Sequence, residues 1–165
     1  MKKIIALCLG LIMTAGICFS DPVEGFWISV DDKTGQDTAG WEMYQQNGKL
    51  YGKVLSTAGY PQDVKAVNCK ESYRDFPLQG KVNQMPIVGT PWIFGLLPDR
   101  SGQWKDGHVI DTRTGKMYKC RVTYRAADGN RFKTDTMEMR GEIGLGIGMS
   151  VFWRKGTQEE AVSFR

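Results

Sequence analysis

The chain has 165 residues, 41% of them hydrophobic, which is the length of one domain with enough apolar material for a core and too little for several. Its formal net charge of +4 is too mild for a nucleic-acid-binding surface. One histidine and four cysteines without CxxC or HxxxH spacing argue against a metal site, and the sequence names no cofactor.

Lys2-Lys3 and the short apolar run 4–19 read as a secretory signal peptide, not a membrane span. Cleavage is expected after Ser20, so residues 1–20 are set apart and the mature protein is expected in the periplasm or outside the cell. Lipidation of Cys18 is the weaker reading, because Ile17 replaces the small residue that such signals carry. Without Lys2 and Lys3 the chain holds 20 basic against 18 acidic residues. Eleven of those basic residues fall in 105–155 against six acidic ones, so a cationic outer face is expected on the C-terminal half.

Residues 24–30 form the first predicted strand, with Phe26, Ile28 and Val30 on one face and Trp27 on the other. After a polar loop over 31–40, strands 41–46 and 49–56 flank Asn47-Gly48, a strong hairpin signal. Leu50, Gly52 and Val54 are assigned to the core face, and Gly52 to a bulge or a close backbone approach. The stretch 57–85 is irregular, with a short helix opened by Pro61 that carries Val64 and Val67 on one side. Residues 86–97 are apolar without a clean period, and Pro86 and Pro91 argue against a central strand. Residues 92–97 are thus either a doubly buried strand or a lid over a cavity, and 98–107 are a turn-rich loop.

The clearest signal lies in 107–125. Strands 108–111 and 116–125 are joined by a turn, and Tyr118, Cys120, Val122 and Tyr124 alternate with polar or cationic residues. That period of two marks an antiparallel strand with one face on a core. Strands 131–143 and 146–155 follow. The first places Met137, Met139, Gly141 and Ile143 on one face; the second places Ile147, Met149, Val151 and Trp153 together. The tail 156–165 is expected to fray, which leaves 21–155 as a single β-domain. Long amphipathic helices are missing, which excludes βαβ folds.

The glycines at 144, 146 and 148 lack the helix that a phosphate cradle needs, and are read as letting the last strand bend. His108 has no nucleophile and orienting acid that the sequence places beside it, so no catalytic residue is assigned and the protein is not read as an enzyme. Cys69 and Cys120, in an exported chain, predict one disulfide; two separate buried thiols are the alternative. Gly25-x-Trp27 near the start and Arg154 near the end suggest a closed barrel whose first and last strands are neighbours, with the guanidinium over the indole.

This pairing of GxW with a late arginine resembles the signature of the lipocalin and fatty-acid-binding-protein group, the calycins. A wider resemblance covers 24–155: Gly25-x-Trp27, the run 48–53 (GKLYGK), Cys69, the run 86–89 (PIVG), Trp104-x-Asp106-Gly107, the run 109–111 (VID), Gly115-Lys116-x-Tyr118-x-Cys120, Arg140-Gly141 and Trp153-Arg154. These resemble the bacterial domain-of-unknown-function family 2147. Asp111-Thr112 stands where the family usually has Asp-Pro, and a second cysteine that the family often carries near Cys69 is missing. The resemblance implies an exported lipocalin-like β-barrel with no established activity.

The expectation is therefore an all-β, mostly antiparallel, lipocalin-like barrel that binds a small apolar or amphipathic molecule. Trp92, Phe94, Tyr118, Tyr124, Met137 and Met139 are the candidate ligand contacts, with Trp92 and Phe94 at the cavity mouth and Trp27 and Trp153 among the aromatics that either line a pocket or simply fill the core. Gly25, Trp27, Arg154, Cys69 and Cys120 are the structural candidates. A cell-envelope interaction protein acting through the cationic face is the alternative.

Overall fold

The computed structural model describes residues 21–145 and 147–165; the signal peptide expected at 1–20 lies outside the described residues. Eight antiparallel strands run in sequence order around a closed barrel. They are β1 (Gly25–Val30), β2 (Asp37–Gln46), β3 (Lys49–Thr57), β4 (Pro91–Arg100), β5 (Gln103–Asp111), β6 (Lys116–Arg125), β7 (Thr136–Gly144) and β8 (Ile147–Lys155). A helix, α1 (Gln158–Val162), follows β8. Each hairpin joins neighbours, so the barrel needs no crossover.

Period-two alternation sets the two faces of the wall. Trp27, Met43, Leu50, Ile93, Leu96, Trp104, Cys120, Val122, Met137 and Trp153 form one buried cluster, the barrel interior. A second cluster gathers Ala66, Cys69, Tyr73, Trp92, Phe94 and Ile110. The register explains the split. Phe94 pairs with His108 and Ile110 with Met117, whereas Ile93 pairs with Val109. The second cluster thus lies mainly on the outer face of β4–β6, roofed by the long segment between β3 and β4.

The structure resolves or corrects the sequence expectations at several places. The segment read as either a doubly buried strand or a lid is strand β4, paired with β3 and β5 and buried on both faces at Trp92, Ile93 and Phe94. Gly95, at φ +73°, sits where the β3 pairing shifts register, and such a bulge turns Ile93 and Leu96 to the same side. That shift erased the period. Pro91 is the first residue of the strand, where a missing N–H costs little. The predicted loop 98–107 shrinks to a turn, because β4 and β5 run on to Arg100 and from Gln103. Pro61 opens no helix; the helical content of the 58–90 segment is a 3-10 turn at Val82–Gln84, and isolated bridges join Lys65 to Pro86 and Val88 to Val54. In β1 the alternation holds: Trp27 enters the interior and Ile28 meets Gly156 on the other face.

The tail does not fray. Thr157 caps α1 and exchanges hydrogen bonds with Glu160 in a capping box, which satisfies two orphan donors. Ala161 is fully buried, and its carbonyl accepts from Ser56 Oγ at 2.7 Å. A Cβ at Gly40 would collide with that same carbonyl, so the helix docks only because β2 carries no side chain there.

Cys69 and Cys120 are both buried free thiols. They are not bridged, because Cys120 points into the barrel while Cys69 lies in the outer cluster, with the sheet between them.

Candidate functional site

The inward face is buried at one end of the barrel and partly exposed at the other. At the packed end the chain entry forms a plug. Trp27 Nε1 donates to the Val23 carbonyl at 2.7 Å, and Val23 is fully buried. The Asp21 carboxylate accepts from Trp104 Nε1 at 3.1 Å and from the Gly102 N–H at 2.9 Å. Tyr124 meets Trp27 edge-on at 6.4 Å.

Lys155 places its ammonium 4.3 Å from the Trp27 ring centroid and donates to the Glu24 carbonyl at 2.8 Å. Burial pushes its pKa down, and Asp135 opposes that. The Tyr124 hydroxyl is pushed up to about 12 by its hydrogen bond to Asp135 and by burial. The cation over Trp27 is therefore Lys155, not Arg154. Registers Trp27↔Lys155 and Ile28↔Arg154 place Arg154 on the outer face, where it binds Asp37 at 2.8 Å and Glu160 at 3.1 Å. First and last strands are neighbours as the signature implied, but its arginine ties the barrel to α1.

Towards the other end the same face becomes exposed. In β6, β7 and β8 the pairs Val122↔Met139↔Val151 and Cys120↔Gly141↔Met149 form successive rungs. Val122 and Cys120 are buried, Met139, Gly141 and Val151 are half-buried, and Met149 is 73% exposed. Val109 and Tyr118, a pair on β5 and β6, are half-buried and flank Gly141. Trp41 packs at a tilt against Trp153, ring centroids 4.7 Å apart, and donates to Ser29 Oγ at 3.3 Å. Together these residues form a half-exposed apolar patch, the cup, against Trp153, Met137 and Val122 of the core. No charged side chain belongs to this set; a cup so lined favours the apolar part of a ligand.

Of the candidate ligand contacts, Tyr118 and Met139 line the cup. Met137 is fully buried below it, and Tyr124 belongs to the plug. Trp92 and Phe94 are not at its mouth. Both lie under the 58–90 segment against Phe76, at 5.9 and 5.4 Å, and Trp92 Nε1 donates to the Ile87 carbonyl. His108 stacks on Phe94 outside the barrel at 5.6 Å. Trp41, Val109, Gly141, Met149 and Val151 complete the cup without having been singled out. Shared parity with Trp153 was the available signal for Val151 and Met149.

Two surface recesses lie elsewhere. One of about 580 Å³ is lined by the 58–90 segment around Tyr73 and Lys81. The other, about 430 Å³, follows the seam where β1 and β8 part, between Val30–Asp32 and Phe152–Arg154. The cationic outer face is threaded with carboxylates: Arg125 binds Glu138 at 2.7 Å, and Arg121 and Arg140 share Glu142 at 3.5 and 3.0 Å. Among the described residues no helix is long and apolar enough to cross a membrane.

No curated protein matches the sequence. Among solved structures the chain is similar to "Protein HP1028 from the human pathogen Helicobacter pylori belongs to the lipocalin family", at 16% identity and a TM-score of 0.64, covering 86% of this chain and 87% of that one. At that identity the likeness shows the fold, which is lipocalin-like. The family model described as "Uncharacterized protein conserved in bacteria (DUF2147)" matches residues 25–155. The chain belongs to this bacterial family, with a lipocalin-like barrel as its fold.

Proposed function

We propose that the protein is a non-catalytic binding module that takes the apolar portion of a small amphipathic molecule into the open half of the barrel, in the cell envelope or outside the cell. The observation that supports it is the exposure gradient along the inward face of β8, from Trp153 at 4% through half-buried Val151 to Met149 at 73%. Half-exposed apolar side chains converging inside a barrel are poorly served by water, and a ligand that covers them is favoured by about 25 cal/mol for each Å² removed from solvent. The solved lipocalin-family relative has the same fold, and barrels of this size hold one small ligand.

Gly141 supplies the test. A Cβ there would meet Tyr118 at 3.5 Å and Val109 at 3.9 Å, ordinary contact distances, so a Cβ fits without backbone strain on the face that carries the cup. Gly141→Leu should abolish saturable binding of long-chain amphiphiles, read through Trp41 and Trp153 fluorescence, while leaving the denaturation midpoint nearly unchanged. Undiminished binding in this variant rules out the cup as the site. The cationic face has its carboxylate partners within it, and no observation favours it over the cup.

A further inference from the structure

The two edges of β8 differ. On one side every residue from Ile147 to Arg154 pairs with β7. On the other, β1 pairs only with Arg154 and Lys155, so among the described residues the run 147–153 has no strand partner there. That run, IGMSVFW, carries no charge. Ile147 is 61% and Met149 73% exposed, beside Ile143 at 72% and a fully exposed Leu145 on the same hairpin. Natural sheets blunt free edges with lysine, proline or an inward-pointing charge, because an unpaired row of N–H and C=O groups recruits another strand. This edge carries none of these.

We propose that the free edge of β8 is a self-association surface, pairing antiparallel with β8 of a second copy about a two-fold axis. The argument for a second copy is self-complementarity. With Met149 opposite its twin, Ile147 faces Val151 along the apolar row and Gly148 faces Ser150 along the other. Every apolar side chain then meets an apolar one, and no like charges oppose. The apolar stretch 147–151 offers a charged peptide no counter-charge; Asp31, Asp32, Arg131 and Lys133 lie only at the Phe152–Trp153 end. An anionic lipid surface finds no basic cluster on the hairpin, whose Arg140 and Glu142 bind each other at 3.0 Å. A two-fold contact of one strand with itself is also the commonest way for a single chain to close an assembly. The edge shares Met149 with the cup, but the proposal does not rest on ligand binding, and self-association is read without ligand.

The experiment is sedimentation velocity of the purified protein over a concentration series, with Met149→Lys and Met149→Glu as variants. Both substitutions fall on an exposed side chain, and unchanged thermal midpoints confirm the fold. The wild type should dimerise. Each variant should dimerise about tenfold or more weakly, since like charges then sit directly opposite across the ladder. An equimolar mixture of the two should dimerise again, as a heterodimer. A wild type that stays monomeric throughout overturns the proposal, as do variants that dimerise undiminished or a mixture that stays monomeric. A monomer that floats with phosphatidylcholine vesicles, and loses flotation in Met149→Lys, assigns the edge to a lipid surface instead.

Discussion

The two ends of the barrel are built from the same alternating strands and differ in what reaches their interior. At one end Asp21, Val23, Trp27, Trp104 and Tyr124 fill the barrel with rings and satisfy each indole N–H. At the other, β6, β7 and β8 continue with Tyr118, Gly141 and Met149, and the same face stands half in water. Side-chain volume makes the difference. Position 141 contributes no side chain where its ladder neighbour Cys120 is buried and Met149 is exposed. The packed core and the proposed binding region thereby lie at opposite ends.

Substitutions along the inward face should grade accordingly. Trp27→Ala, at the packed end, should cost about 3–5 kcal/mol, and Met137→Ala, fully buried, about 2–5 kcal/mol. Met139→Ala should cost clearly less, and Met149→Ala should fall within about 0.5 kcal/mol of wild type. Denaturant midpoints read this series directly, and equal losses at Met137 and Met149 would erase the distinction between the ends.

Acid should weaken the carboxylate contacts that brace the outside of the barrel. Glu160 is held below its ordinary 4.5 by the Thr157 N–H and by Arg154, and Asp135 below 3.8 by the Ala127 N–H and Tyr124. For Glu138 burial pushes upward, but its hydrogen bonds with Arg125 and Ser150 outweigh it and the pKa is lowered. Each folded-state value lies below the unfolded one. The stabilisation is therefore present above the ordinary carboxylate range and is lost as pH falls through these depressed values. Stability should hold towards neutral pH and decline from about pH 4 downward; a midpoint that is flat over that range would contradict these contacts.

Arg154→Lys should cost about 1 kcal/mol, because one ammonium cannot replace a fork shared between Asp37 and Glu160, and exposure screens both pairs. The smallest effect concerns the thiols. Burial raises the pKa of both Cys69 and Cys120, so alkylation at neutral pH should wait for unfolding. A reducing agent should leave the midpoint unchanged, and a drop in the midpoint would reveal a bridge.

Where the alternation ran unbroken, in β3 and β6, the buried face was legible residue by residue: Leu50, Gly52 and Val54 in one, Cys120 and Val122 in the other. It failed where a bulge resets the period. Gly95 hid β4, and Asp106, at φ +58° between Trp104 and Gly107, hid the start of β5. The helix was missed for a different reason: its capping box, Thr157-x-x-Glu160, was in the sequence, but a short polar segment gave no apolar stripe to accompany it. The cup itself was only partly legible. Tyr118 and Met139 share parity with buried neighbours, but parity says which face a residue takes and nothing of its depth. Trp92 and Phe94 read as interior because they are apolar, and only the roof from the 58–90 segment explains why they are buried outside.

The most direct measurement is methyl NMR of methionine-labelled protein during titration with a long-chain amphiphile. Met139 and Met149 should shift together and saturate, Met43 and Met137 beneath them should move little, and Met85 and Met117 in the outer cluster should stay in place. If no panel member gives saturable shifts at Met139, or if the largest shifts fall on Met85 and Met117, the open half of the barrel is not a binding site.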